Sequence, residues 1–466
     1  MRHHNIRKLA PVLLVLALFP ASSHATEADE IKELREQIRL LEQKLLAIER
    51  RQELRDREAA APTPAPAAPV ANAPKLTISD KGFSAASPDG ANSIRLRGLL
   101  QLDSRLFFGD EVPGNNAFVL RRARLGTEAV MARDYAFQLV AEFGGSSVSV
   151  VDANLNIAIS KALQFRLGRF KVPVGLEQLQ SDAWTFFNER SLASNLVPSR
   201  DLGIQAWGAG WDGRLDYAVG VFNGVADGAS SNNTDFDNDK SLAARVFASP
   251  FKDQAGSALH GLSIGIGGSF GRNKTASGRT GGYRTDGQQT FFAYHAATIA
   301  DGANWRLAPQ FDYRHGSFGL LGEYVVSTVN VRPGATGAKA ELRNEAWHLA
   351  TGYVLTGEDS SPGGVVPRAS FSPSGGAWGA LEVTARAANL KIDDATFPLY
   401  ASLTNTASEA ASFGLGLNWY LGRAVVFKFD YYQTEFGFNP AAPPVSTSAV
   451  LRQDEKVFIS RFQFGF

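Results

Sequence analysis

The chain has 466 residues, of which 44% are hydrophobic and 20% are charged, and it contains 45 Gly and 31 Phe but no Cys. The absence of cysteine excludes a disulfide framework, a cysteine-based zinc site and a thiol nucleophile. A formal net charge of +1 is not that of a nucleic-acid-binding protein, so we expect no nucleic-acid partner.

The first 25 residues have the pattern of a secretory signal peptide. Three basic residues precede an apolar run at 9–19, and small residues follow at positions 23 and 25. The alternative, an N-terminal membrane anchor, would need an apolar run of ~20 residues. We therefore predict an exported protein that is cleaved after Ala25. Because no later segment has the pattern of a transmembrane helix, any membrane residence must use strands.

Residues 30–55 follow an uninterrupted heptad pattern. Their apolar residues repeat with a period of 3.5 amid Glu, Lys, Arg and Gln, which predicts a helix that pairs in a coiled coil. The predicted oligomerisation seam consists of Ile31, Leu34, Ile38, Leu41, Leu45 and Ile48. Ile and Leu occur at both a and d positions, so the pattern does not decide between a dimer and a trimer. The alternative is a lone amphipathic helix that lies on the rest of the protein.

Five prolines follow between positions 62 and 74 in an Ala-rich stretch. Such a composition cannot continue a helix or form a packed core, so it predicts an extended spacer. The predicted organisation is therefore a signal peptide (1–25), a coiled coil (26–58), a linker (59–75) and a strand-rich domain (76–466).

From about residue 75 onward, the sequence alternates between apolar and polar residues in short runs separated by turn residues. In the run 94–108, most even positions are apolar, while Arg95, Gln101 and Asp103 are among the polar residues that alternate with them. The same split recurs at 135–143, 305–313, 413–421, 425–432 and 458–466. A soluble sandwich uses about seven to nine strands, fewer than this region offers. A transmembrane barrel instead turns its apolar residues to lipid and its polar residues to a watery lumen.

The chain ends in a further barrel signal. Phe458, Phe462, Phe464 and Phe466 lie on one face of the last run, and such a final strand is similar to the terminal strand of bacterial outer-membrane barrels. At roughly 24 residues per strand and connection, the region suits 16 strands, although 14 or 18 also fit the count. We predict an all-β fold, a transmembrane antiparallel β-barrel of 16 strands in the outer membrane of a Gram-negative bacterium, with the α-helical coiled coil in the periplasm.

Six short motifs lie in order along the strand-rich domain. They are FVLRRARLG (118–126), RLGRFKVPVGLE (166–177), NERS (188–191), PSRDLG (198–203), LTGE (355–358) and GAWGALE (376–382). Together they make this region resemble the phosphate-selective porin O and P family. The resemblance implies a homotrimeric 16-stranded barrel whose third extracellular loop folds inward. It also implies a pore lined by arginines, with lysines at the constriction that hold phosphate or pyrophosphate.

If the apolar face of each strand contacts lipid, basic side chains line the lumen. The predicted anion pathway comprises Arg95, Arg97, Arg105, Arg122, Arg124, Arg166, Arg306, Arg314 and Arg461, and the family motif adds Arg169 and Lys171 as constriction candidates. The same parity adds Arg245, Arg386 and Lys428 to the lumen and places Arg121 on the lipid face. Guanidinium groups stay charged and present a planar fork to oxyanions, which favours anion preference. The alternative is that many of these bases form ion pairs within the wall, as Arg105 would with Asp103.

The stretch 171–201 is too long for a turn and fits a loop packed inside the barrel. It carries three bases and four acids, which makes a poor phosphate trap. A general or sugar-permeable pore therefore remains an alternative, and so does a tether in which the helix contacts peptidoglycan. The seven His residues form no catalytic motif, so we expect neither an enzyme nor a cofactor or metal.

Overall fold

The computed structural model describes residues 27–60, 73–79, 82–109, 114–231, 234–235, 237–277, 280–441 and 454–466. It separates the chain into two compact units, Met1–Ala71 and Asn72–Phe466. The predicted signal peptide lies outside the described residues, and so does 61–72 of the predicted linker. Within the described ranges, no helix is both long enough and apolar enough to cross a membrane.

The first unit contains one long helix, α1, at Glu27–Ala60. The heptad region is therefore helical throughout, as its periodicity predicts. All six seam residues are exposed, with between 49% (Ile31) and 64% (Leu41) of each residue accessible to solvent. The helix thus carries an uncovered apolar stripe, and its pairing in a coiled coil stays a prediction.

The second unit contains the strands. In chain order they are β1 Lys75–Ser79, β2 Gly82–Ala86, β3 Ser93–Phe107, β4 Ala117–Met131, β5 Tyr135–Glu142, β6 Ser149–Ala158, β7 Gln164–Lys171, β8 Arg200–Gly210, β9 Leu215–Phe222, β10 Ser241–Ala248, β11 Leu262–Ser277, β12 Gly282–Arg284, β13 Thr290–Ala293, β14 Thr298–His315, β15 Phe318–Pro333, β16 Ala340–Val354, β17 Ala380–Lys391, β18 Glu409–Tyr420, β19 Val425–Gly437 and β20 Asp454–Gly465. Short helical turns occur at Leu176–Leu179 (α2), Leu192–Leu196, Trp211–Gly213, Pro373–Gly375 and Asp394–Thr396.

Sixteen of these strands close into a barrel. Strands β3–β11 and β14–β20 pair antiparallel with their neighbours, and β20 returns to β3, with Arg461 opposite Asp103 and Phe462 opposite Leu102. The β1–β2 hairpin extends the sheet beside the start of β3, while β12 and β13 form a separate two-stranded sheet. Closure gives every barrel strand a partner on both edges. The predicted 16-stranded barrel is confirmed.

The side-chain alternation is inverted relative to a soluble protein. On β3, Leu102 and Leu106 are exposed, whereas Gln101, Asp103 and Arg105 between them are buried. Polar groups therefore fill the interior while apolar groups form the outer surface, as expected for a wall that faces lipid.

One position breaks this alternation. The β3–β4 register shifts so that Gln101 pairs with Arg122 but Leu102 pairs with Leu120, which leaves Arg121 as the extra residue of a bulge. Its guanidinium bonds Glu189, a residue of the long connection between β7 and β8. The prediction that Arg121 faces lipid is therefore wrong, because a bulge resets the two-residue period.

Two connections enter the lumen from opposite ends of the barrel. Residues 172–199, here called the inward loop, join β7 to β8; Val174, Leu196 and Val197 of this loop are fully buried. The prediction of a loop packed inside the barrel is confirmed. Residues 355–379, here called the terminal-end segment, join β16 to β17 at the end of the barrel that also holds Phe466.

Candidate pore and its charged lining

The inward loop is fixed by wall side chains that donate hydrogen bonds to its backbone carbonyls. The donors and acceptors are Gln310 to Val174 (2.9 Å), Arg386 to Glu189 (2.9 Å), Asn418 to Phe186 (2.9 Å), Gln463 to Ala183 (3.0 Å) and Gln101 to Asp182 (3.0 Å). These donors come from β14, β17, β18, β20 and β3. The loop therefore packs against that part of the wall.

Glu189 on the loop bridges three wall arginines. Its carboxylate accepts hydrogen bonds from Arg121 (2.6 and 2.9 Å), Arg105 (3.2 Å) and Arg461 (3.1 Å). Burial alone would raise the pKa of Glu189, but the neighbouring Arg121 and Arg461 hold it well below the usual range. The carboxylate stays ionised and ties the loop to β3, β4 and β20.

Asp182 forms a second anchor nearby. It makes short ion pairs with Arg124 and Arg190 and lies 3.6 Å from Arg122. A further contact of 3.8 Å joins it to Arg200 at the start of β8. Burial alone would raise the pKa of Asp182, but the surrounding bases hold it well below its ordinary value. One loop carboxylate thus neutralises part of the charge of four arginines.

Glu177, Glu323 and His348 form a buried cluster whose ligand atoms all lie within 4.8 Å of one another. These residue types are capable of holding a metal ion. However, Glu323 already accepts hydrogen bonds from the backbone N–H groups of Leu176 (2.8 Å) and Glu177 (3.3 Å). Glu177 accepts from the N–H of Ser191 at 2.7 Å. Because the carboxylates are engaged with loop backbone, we assign the cluster to docking of the loop.

A cavity of about 600 Å³ lies beside the docked loop. We call it the basic chamber, because eight bases and only three acids line it. The bases are Arg95, Arg97, Arg124, Arg166, Lys171, Arg200, Arg245 and Arg423, and the acids are Asp152, Asp182 and Asp216. The lining also includes Phe466, so the chamber lies toward the end of the barrel that holds the C-terminus.

The structure divides the eleven residues of the predicted anion pathway. Five line the basic chamber: Arg95, Arg97, Arg124, Arg166 and Lys171. Four are buried and contact carboxylates: Arg105, Arg122, Arg306 and Arg461. Arg314 bonds Asp312 at 2.7 Å and Ser360 at 2.8 Å, and Arg169 is not part of the chamber lining. The expected pair between Arg105 and Asp103 is present at 3.1 Å. Whether any of these residues carries ions stays a prediction.

Three bases of the chamber are absent from those eleven residues: Arg245, which parity places in the lumen, and Arg200 and Arg423, which parity does not. Arg200 falls in the stretch assigned to a loop, and Arg423 lies in the short connection between β18 and β19. Neither position belongs to an alternating run, so parity gave no signal for either. The sequence shows only how many acids the loop carries. Which wall arginines these acids pair with depends on how the loop docks.

The chain was compared with known proteins. The family model described as phosphate-selective porin O and P matches residues 94–453. Porin O of Pseudomonas aeruginosa is 23% identical over 384 residues, which cover 76% of this chain and 85% of that protein. The outer membrane channel DcaP of Acinetobacter baumannii is 10% identical with a TM-score of 0.51, over 81% of this chain and 98% of that structure. The trimer form of OmpT of Vibrio cholerae is 11% identical with a TM-score of 0.50, over 81% of this chain and all of that structure.

The two solved structures show a shared fold, and the family model adds membership, because it spans more than half of the chain. The chain therefore belongs to the phosphate-selective porin O and P family and is an outer-membrane β-barrel porin.

Proposed function

We propose that the protein forms a water-filled, anion-preferring channel for phosphate, pyrophosphate or similar small anions. The observation that carries this proposal is the excess of eight bases over three acids in the lining of the basic chamber. A series of fixed guanidinium groups attracts anions without holding any one of them tightly enough to slow its exit.

The contacts of the individual bases support an ion route along this side of the lumen. Among the residues that the structure describes, no carboxylate lies within ion-pair distance of Arg95, Arg166, Lys171 or Arg245. Arg245 instead donates to the side chain of Gln310 at 2.8 Å, and Lys171 donates to the carbonyl of Gln180. The charge of Arg95, Arg166 and Arg245 is therefore not cancelled by an adjacent carboxylate, and we propose that it acts on passing ions.

Tight phosphate binding is not part of the proposal. One loop carboxylate, Asp182, contacts Arg122, Arg124 and Arg200, which removes three arginines from any free cluster. The remaining bases are spread over several strands of the chamber wall. We propose that phosphate passes with low affinity, and that a general or sugar-permeable pore is the rival function.

We further propose a homotrimer with a periplasmic coiled coil. The uncovered seam of α1 gives an apolar stripe of the kind that pairs in coiled coils. Short turns of such barrels face the periplasm, and the barrel chain begins and ends at the short-turn end. We propose peptidoglycan as a partner of this helix. The barrel itself acts as a passive channel rather than as an enzyme.

The reversal potential of the purified full-length channel across a potassium chloride gradient tests the proposal. We expect the reversal potential to lie toward the equilibrium potential of chloride rather than that of potassium. Its size should fall at higher ionic strength, because salt screens the fixed charges of the pore. Replacing chloride by phosphate should preserve the sign. A cation-preferring or unselective pore would contradict the proposal and favour the general or sugar porin.

A further inference from the structure

The basic chamber is bounded by two chemically different surfaces. Most of its bases project from strands β3, β4, β7, β8 and β10 of the barrel wall. The inward loop and the terminal-end segment lie inside that wall and contribute mainly apolar side chains to the lining: Pro173, Leu179, Ala183, Trp184, Val365 and Val366. Asp182 is the one carboxylate that these segments contribute to the lining, and it pairs with arginines. A basic surface therefore shares the cavity with an apolar one.

The apolar surface is held in place by packing. Val365 is buried in a cluster with Val354, Tyr420 and the ring of Trp184. Gly364 has a φ of +86°, and a Cβ at this position would overlap Trp184, so the two inserted segments meet where only glycine fits. Val366, by contrast, is 47% exposed. The inserted segments therefore present a fixed apolar surface to the chamber.

The basic surface retains donors for a ligand. The guanidinium of Arg166 lies 4.8 Å from the ring centre of Trp207 and 5.6 Å from that of Phe170. Its buried Nε has no hydrogen-bond partner. The guanidinium of Arg245 lies 4.2 Å from the ring centre of Phe247. Stacking on rings orients a guanidinium while leaving its edge free to bind an oxyanion.

We propose that the chamber is a binding site for small organic anions that combine a carboxylate with a compact apolar or aromatic body. The carboxylate binds at Arg166, while the apolar body contacts Trp184 and Val366. The volume of about 600 Å³ is in the range of pockets that hold small organic molecules, roughly 300–1,000 Å³. An inorganic anion would use only the basic side. This inference rests on the proposed anion channel and narrows its substrate class.

The first test compares two monocarboxylates on the full-length channel in planar bilayers. Benzoate and acetate carry the same charge, but only benzoate has an aromatic body. We expect benzoate to half-block the chloride current at a concentration about five- to tenfold lower than acetate, as partial burial of one ring implies. Equal block by the two anions in an anion-preferring pore would overturn this inference and leave the proposed function intact. A pore without anion preference would overturn the proposed function itself.

The second test locates the site with variants. Val366→Ser should reduce the benzoate-to-acetate ratio by about two- to threefold, because it removes apolar contact from an exposed position. Val148→Ser, at an exposed valine of the connection between β5 and β6, is the matched control and should leave the ratio unchanged. Arg166→Gln should weaken block by both anions about equally. If Val366→Ser and Val148→Ser behave alike, the assignment of the apolar surface is wrong.

Discussion

Glu189 is the carboxylate whose loss should release the inward loop. Its side chain is 3% exposed and contacts Arg105, Arg121 and Arg461 at 2.6 to 3.2 Å. Replacing Glu189 by Gln keeps the shape of the side chain but removes its charge. Breaking a buried ion pair from one side costs about 3–5 kcal/mol, because the remaining charges stay buried without compensation. At 1.4 kcal/mol per tenfold change, the undocked population of the loop should rise by about two to four orders of magnitude.

A single introduced thiol measures this release. The chain has no cysteine, so Ala193→Cys gives a unique reporter at a loop position that is fully buried. When opening is faster than labelling, the rate of reaction with a small maleimide follows the undocked population. We expect this rate to increase strongly in Glu189→Gln, together with noisier single-channel currents.

The matched control for this substitution is Glu341→Gln. Glu341 is an exposed carboxylate near the start of β16. Its replacement should leave both the labelling rate and the current noise unchanged. If Glu189→Gln labels no faster than Glu341→Gln while both barrels remain folded, the loop is not held by this carboxylate.

Three further predictions concern selectivity, pH and the helix. Arg166→Gln and Arg245→Gln should each lower the anion-to-cation permeability ratio, whereas the exposed Arg133→Gln should not; equal ratios in all three would contradict the chamber route. Because the native pKa of Asp182 lies well below its ordinary value of 3.8, its stabilisation is fully present above that ordinary value and is lost as the pH falls through the lower native pKa. Maleimide labelling of Ala193→Cys is divided at each pH by the labelling rate of free cysteine, because only the thiolate reacts. This ratio should stay constant from about pH 8 to 5 and rise only below about pH 4; a rise near neutrality would refute this anchor. A peptide of residues 26–58 should self-associate weakly in sedimentation, since three heptads are short, and deletion of 26–74 should leave single-channel conductance unchanged; a deletion variant without pores would show that the two units are interdependent.

The barrel was predictable because its signal is local and repeated. Each barrel strand has one face toward lipid and one toward water. Apolar and polar residues therefore alternate with a period of two from β3 to the final Phe466. The single-residue bulge at Arg121 shows where this reasoning ends. The alternating sequence that precedes a bulge does not predict it. This bulge nevertheless places the guanidinium of Arg121 at the buried carboxylate of Glu189 instead of on the expected lipid face.

The basic chamber was only partly predictable, because it depends on contacts between distant parts of the chain. Parity places Arg95, Arg97 and Arg166 in the lumen, but it says nothing about which bases meet an acid. The surface opposite them comes from two inserted segments, and one of these, 355–379, has no alternating pattern. Its role depends on Gly364 meeting Trp184 across a separation of 180 residues.

The charges of the inward loop determine which wall arginines are free to act on ions. As a bare count, three bases and four acids make the loop look unsuited to an anion channel. In the folded barrel, however, Glu189 and Asp182 are occupied by arginines of the wall. These two loop acids therefore hold the inward loop against the barrel wall. In the proposed anion channel, the preference depends on the bases that these acids do not reach, chiefly Arg166 and Arg245, so the pairing of the lumenal arginines matters more than their number.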